Sequence, residues 1–162
     1  MPPPAKFTLL RGALRQVFMT QMVSDALASH LSELVTHPLD ILVVDRSRDI
    51  TEQFVALLNH FGHRAVSCFD AESAMLRVVQ QPFDAVISGL KLPFMDGFAF
   101  AQLLRSHPHT SGACLIAVSG AAGTQIVEQS LRAGFDAHFC KPVRVEDILQ
   151  VLPASLVVEK VA

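Results

Sequence analysis

The chain has 162 residues, 51% apolar and 17% charged, which suits one well-filled domain plus an appendage and excludes disorder throughout. Its formal charge of −2 lacks the basic excess that nucleic-acid binding requires. Cys68, Cys114 and Cys140 are far apart and form no CxxC, so reduced thiols are expected rather than disulfides or a metal site.

Residues 1–6 carry three prolines and start no packed element. From Phe7 to Val35 the pattern is helical. Leu10, Leu14, Phe18, Met22 and Ala26 recur every fourth residue, and Leu27, Leu31 and Leu34 continue the stripe. Arg11, Arg15, Asp25 and Glu33 interrupt it, which argues against a membrane span. Met1-Pro2-Pro3-Pro4 is not the basic start of a signal peptide, so a cytoplasmic location is expected. An apolar stripe must be buried against something, and pairing with a second copy or a partner is preferred here over packing on the chain's own domain. His37-Pro38 ends the helix.

A domain then runs over 39–153, followed by a short tail, 154–162. Ile41-Leu42-Val43-Val44 reads as a parallel strand buried on both faces. Asp45 to Asp49 reads as a polar turn, and Ile50 to Phe61 as a helix with Phe54, Leu57, Leu58 and Phe61 on one face and Gly62 behind it. Arg64–Phe69 is a strand; Asp70 caps a helix over Ala71–Gln80. Asp84–Ser88 is a short buried strand, and Leu92 to Gly97 a loop closing onto a helix over Gly97–Ser106 that Asp96 caps. Cys114–Val118 is a fourth strand, Thr124 caps a helix ending near Ala133-Gly134, Ala137–Cys140 is a fifth strand, and Val145–Leu152 a last helix. This alternation predicts a flavodoxin-like (βα)5 fold, a doubly wound parallel sheet of strand order 2-1-3-4-5, with an N-terminal helical extension and any site at the carboxyl ends of the strands.

Four dispersed motifs resemble bacterial response-regulator receiver domains, in the right order and over Leu39 to about Leu152. Ile41-Leu42-Val43-Val44-Asp45 is similar to the first strand and its acidic pair. Leu92-Pro93-Phe94-Met95-Asp96-Gly97 resembles the loop after the phosphorylation site. Val118-Ser119-Gly120 resembles the hydroxyl-bearing switch, and Lys141-Pro142 the lysine followed by a cis proline. The resemblance implies a CheY-like fold whose chemistry needs an aspartate nucleophile ending the third strand, carboxylates holding Mg²⁺, and a hydroxyl and a lysine on the phosphoryl group.

Here the sequence departs from the pattern. Asp45, Ser119 and Lys141 are kept, but Arg46 stands for the second acid and Gly89 for the nucleophile. The expectation is a degenerate receiver, with no phosphorylation and absent or weak Mg²⁺ binding. Lys141 and Asp45 are expected to pair across the vacated pocket, with Arg46 competing for the carboxylate. Ser88 should face away from Gly89, Asp49 suits a turn or N-cap, and none is a strong substitute acceptor. His138, three residues before Lys141, takes the place of an aromatic switch residue and is expected to be partly exposed beside a docking face. His30 on the first helix does not otherwise match a phosphoacceptor histidine.

The implied function is that of a non-enzymatic pseudo-receiver of two-component signalling and phosphorelay, working by protein–protein contact. Histidine kinases, other response regulators, or a second copy are the expected partners, and nucleic acid and membrane are not. In the family the docking face is built from the fourth helix, fifth strand and fifth helix, here Thr124–Ala133, Ala137–Cys140 and Val145–Leu152, and Pro142 adjoins it. A homodimer through this face or through the N-terminal helix is anticipated. No DNA-binding or cyclase segment is read after the fifth helix. Two alternatives stay open: the pocket senses an anion through Lys141, Arg46 and Ser119, or an unconventional residue accepts phosphoryl.

Overall fold

The computed structural model describes residues 37–153. The N-terminal helix, His30 and the tail lie outside the described residues. Within them the chain runs β1 (Asp40–Val44), α1 (Arg48–His60), β2 (Arg64–Cys68), α2 (Ala71–Gln80), β3 (Ala85–Ser88), β4 (Lys91–Leu92), β5 (Met95–Asp96), α3 (Gly97–Ser106), β6 (Cys114–Ser119), α4 (Thr124–Ala133), β7 (Ala137–Cys140) and α5 (Val145–Leu149).

Five strands form one parallel sheet in the order β2-β1-β3-β6-β7. With the small β4–β5 hairpin set aside, this is the expected order 2-1-3-4-5. The apolar run of β1 is buried on both sides because helices cover both faces. On one face Leu42, Val44, Val86 and Leu115 pack under α2, α3 and α4, through Ala74, Val78, Phe100 and Leu104. On the other, Ile41, Val43, Ile87 and Ile116 pack under α1 and α5, through Leu58, Val145 and Ile148. The strand-end residues 45, 89, 119 and 141 therefore collect at one rim of the sheet.

Several boundaries differ from the sequence reading. Helix α1 starts at Arg48, two residues early, because the Ser47 carbonyl already accepts the Thr51 amide at 3.0 Å. The polar turn shrinks to residues 45–47, and Asp49 sits in the helix's first turn, not at its N-cap. Asp70 and Asp96 do cap α2 and α3, accepting the amides of Ser73 and Phe98 at 2.7 Å each. Thr124 is no cap: Gly123, at φ +125°, holds the N-cap place of α4. Helix α5 ends at Leu149 rather than Leu152, and the chain leaves in a turn.

The loop after β3 is a hairpin. Lys91 pairs with Asp96 and Leu92 with Met95 around Pro93-Phe94, and Phe94 takes a left-handed φ of +61°. A bulky residue there costs about 1 kcal/mol. The hairpin doubles back so tightly that the Gly97 amide donates to the Leu90 carbonyl at 2.8 Å. A Cβ on Gly97 would lie 2.5 Å from the Leu90 Cα, so only glycine fits.

One side chain staples the second half of the domain. Arg105 of α3 donates to the carbonyls of Gly134, Ala113 and Ser111 and to Asp136 Oδ2 at 2.7 Å. The same Asp136 oxygen accepts the Leu115 amide at 2.9 Å. Removing Arg105 leaves three carbonyls and a half-buried carboxylate without their charged donor. Arg105→Ala is expected to lose about 2–4 kcal/mol of stability in a urea titration, and Arg105→Lys to recover little of it, since lysine lacks the planar fork.

Candidate functional site

The rim of the sheet brings Asp45, Gly89, Ser119 and Lys141 together. Asp45 follows β1 directly and is buried, 8% exposed. Its carboxylate therefore needs compensation. Oδ1 accepts the Ser47 amide at 2.9 Å, and Oδ2 accepts the Lys141 ammonium at 2.8 Å. Lys141 comes from the end of β7, on the far side of β3 and β6, and its peptide bond to Pro142 is cis.

Gly89 ends β3 between these two groups. A Cβ there would sit 2.7 Å from Asp45 Oδ2. The carboxylate thus occupies the space a side chain at 89 would need, and from there it reaches the lysine. Arg46, expected to compete for Asp45, does not: it is exposed and forms no ion pair among the described residues.

Ser119 ends β6 and is buried; its Oγ accepts the Ala121 amide at 3.1 Å. Ser88 is fully buried on the other side of the sheet from Gly89 and donates to the Gly89 carbonyl at 2.9 Å. Around the pair lies an open cavity of about 320 Å³ lined by Arg46, Lys91, Ser119, Gly120 and Lys141 as well as Asp45 and Gly89. Lys91, on the unforeseen hairpin, is a cation that reading the segment as a plain loop did not bring to the site. Among the described residues no cluster of three His, Cys, Asp or Glu gathers as a metal site.

His138 corrects the sequence reading. It is not partly exposed but buried, 4% exposed, because α4 lies over β7. Its Nδ1 pairs with Ser130 Oγ of α4 at 2.8 Å, and the Ser130 hydroxyl also reaches the Ile126 carbonyl at 2.8 Å. Nε2 is buried with no hydrogen-bond partner among the described residues. Burial holds its pKa below the ordinary value, and the Ala121 backbone opposes the shift. The histidine thus ties β7 to α4. A serine eight residues ahead of a strand histidine was the only sequence signal for this pairing.

The three thiols are free. Burial, reinforced by the charge of Asp136 and opposed by Arg105, pushes the Cys114 thiol up to about 12. No helix among the described residues is long and apolar enough to cross a membrane.

The family model described as "Response regulator receiver domain" matches residues 41–153. The "Probable chemotaxis protein CheY" of Rhizobium etli is 26% identical over 121 residues, 74% of this chain and 94% of that protein. The "Gliding motility regulatory protein" of Myxococcus xanthus is 30% identical over 103 residues, 64% of this chain. The "Signal transduction histidine-protein kinase BarA" of Escherichia coli K12 is 27% identical over 114 residues. The chain spans only 13% of the former's length and 12% of the latter's. Among solved structures, a CheY-like receiver domain from Methanospirillum hungatei superposes with a TM-score of 0.64 at 26% identity, covering 70% of this chain and 89% of that one. CheY4 of Vibrio cholerae, at 22% identity, shares the fold with a TM-score of 0.67 over 71% of this chain and 96% of its own.

His138 and His63 are both held below their ordinary pKa by burial, so each binds its proton more tightly in the unfolded chain. Their contribution to stability is complete above about pH 6.5 and is lost as pH falls below it. The urea midpoint is expected to fall between pH 7 and pH 5, and His138→Gln to make that fall shallower. Parallel slopes for the two proteins would mean that His138 has no part in it.

Proposed function

The chain belongs to the response-regulator receiver family, and we propose that it acts in two-component signalling without being phosphorylated, as a module that works by protein contact. The observation that carries this reading is the position of Gly89. The place where the family's acceptor side chain leaves the third strand holds no side chain, and the Asp45 carboxylate fills it while bonded to Lys141 at 2.8 Å. With no carboxylate at 89, nothing at that position can attack phosphorus.

On this reading the pocket takes no Mg²⁺. One carboxylate engaged by an ammonium, beside an arginine instead of a second acid, is a poor donor set for a hard cation that wants several oxygens. The ion pair then has a static role. It holds the ends of β1 and β7 in one arrangement, the arrangement presented to partners. The proposed contact face is α4, β7 and α5. Histidine kinases and other response regulators are the proposed partners, in keeping with the kinase and the chemotaxis protein among the relatives, and a second copy of the chain can use the same face.

A second reading is favoured by one observation. Arg46, Lys91 and Lys141 line the 320 Å³ cavity against the single charge of Asp45, which suits an inorganic anion in place of a phosphoryl group.

One set of amide spectra separates the readings. Beryllofluoride with Mg²⁺, a mimic of a phosphorylated carboxylate, is expected to leave the spectrum unchanged. Saturable shifts at residues 89 and 119–121 would overturn the phosphorylation-independent reading. Inorganic phosphate without Mg²⁺ is the companion titration: saturable shifts at the same amides, weakened several-fold in Arg46→Ala, are what the anion reading expects, and linear shifts that track ionic strength would remove it.

A further inference from the structure

Helix α1 carries a half-open apolar seam. Ile50, Phe54, Leu57 and Phe61 are spaced four, three and four residues apart, the spacing by which one helix presents a continuous stripe to another. Ile50 is 40% exposed, Leu57 39% and Phe61 48%, while Phe54 is half-buried against the core. On this face of the sheet α1 shares the core with α5 and with the buried Val151 and Leu152 that follow it, and Ile50, Leu57 and Phe61 lie outside that core.

The chain itself supplies a matching stripe. Subtracting 27 from 50, 54, 57 and 61 gives 23, 27, 30 and 34, and Val23, Leu27 and Leu34 occupy three of those positions, with His30 beside Leu31 at the fourth. The point of entry fits as well. The Leu39 amide donates to His63 Nδ1 at 3.3 Å and its carbonyl accepts the Arg64 amide at 2.8 Å. The chain therefore enters β1 beside the C-terminal end of α1, two residues from Phe61. A helix ending near Leu34 at this pole runs parallel to α1. The step from Leu34 to Leu39 spans at most about 17 Å, which covers the roughly 8–10 Å between packed helix axes.

We propose that residues 20–35 dock as a helix along Ile50, Phe54, Leu57 and Phe61 of the same chain, in parallel, with Val23 level with Ile50 and Leu34 level with Phe61. This reverses the preference for a second copy or a partner drawn from the sequence, because Ile50, Leu57 and Phe61 leave an apolar flank on α1 within reach of the chain's own segment. The docked segment also reaches the candidate site. Ile50 and Phe54 wall a narrow crevice whose other lining includes Asp45, Gly89 and Lys141. An element that covers or uncovers this seam acts directly on the neighbourhood of the ion pair.

The full chain is tested by hydrogen exchange read by mass spectrometry, with sedimentation velocity on the same samples. In a monomeric chain, amides of residues 20–35 are expected to exchange at least tenfold more slowly than free peptide. Leu57→Ser with Phe61→Ser is expected to abolish that protection while β1 and β3 keep theirs. Leu27→Ser with Leu34→Ser, which lies outside the sheet and its covering helices, is expected to do the same and guards against a misfolded first variant. Free-peptide exchange over 20–35 overturns the proposal. So does protection that survives both pairs of substitutions. A dimer whose protection disappears on dilution assigns the seam to a second copy and overturns it too. None of these outcomes bears on whether the pocket accepts beryllofluoride, so the seam and the phosphorylation-independent reading fail separately.

Discussion

A lysine ammonium 2.8 Å from a buried carboxylate holds the carboxyl rim of this sheet together. The partners are 96 residues apart in sequence and come from strands separated by two others. Asp45 cannot stand alone there, because a desolvated carboxylate needs donors, and the backbone offers only the Ser47 amide. Lys141 supplies the second donor, and the space for the bond exists because residue 89 has no Cβ. The net worth of such a pair is modest, since desolvation offsets much of the attraction; breaking one half is what costs. Its consequence is geometric more than energetic. It fixes where β7 ends relative to β1, and so where the chain turns into α5.

Ser119, Ala121, His138 and Ser130 extend this constraint outward. The Ala121 amide is bound by Ser119 Oγ and its carbonyl accepts the Cys140 thiol of β7 at 3.6 Å, and further back on β7 the buried imidazole of His138 is bonded to Ser130 of α4. These contacts run, through the backbone of β7, from the rim of the sheet to α4. They are a contiguous packed route, and the route alone is not coupling; a coupling free energy needs two arrangements that a partner distinguishes. The orphan Nε2 of His138 is the place where the present arrangement leaves a polar atom unsatisfied. A rearrangement of the 120–123 loop that gave it a partner would recover part of that cost.

Much of this was legible in the sequence because it rests on local rules. Alternating apolar runs and helical stripes gave the strand order, and Asp70 and Asp96 announced their helices by the position of a capping carboxylate ahead of an apolar stripe. The Asp45–Lys141 approach was legible only through the resemblance to receivers, since nothing local relates residues 96 apart. What stayed hidden depended on tertiary placement. His138 reads as exposed on a short strand and is buried because α4 crosses it. The hairpin at Lys91–Asp96 reads as a loop because two-residue strands leave no periodicity, and Phe94 is a poor turn residue for the left-handed φ it adopts. The end of α5 was overestimated because Val151 and Leu152 continue an apolar pattern; they are buried, yet in a turn.

Ile50 and Phe54 tie the seam on α1 to the Asp45–Lys141 pair, because they line the same crevice. Ile50, Leu57 and Phe61 of α1 lie at the surface, and Ile50 borders a crevice that Asp45 and Lys141 also line. A receiver that is switched by phosphate changes its surface from inside the pocket. In this chain a carboxylate and an ammonium are paired at that position, and on the proposed phosphorylation-independent reading a change at the rim arrives from outside. The α1 seam adjoins the pair through Ile50 and Phe54. An occupant that binds the seam more tightly in one arrangement of residues 45–50 than in another shifts the population between them by that difference and by no more.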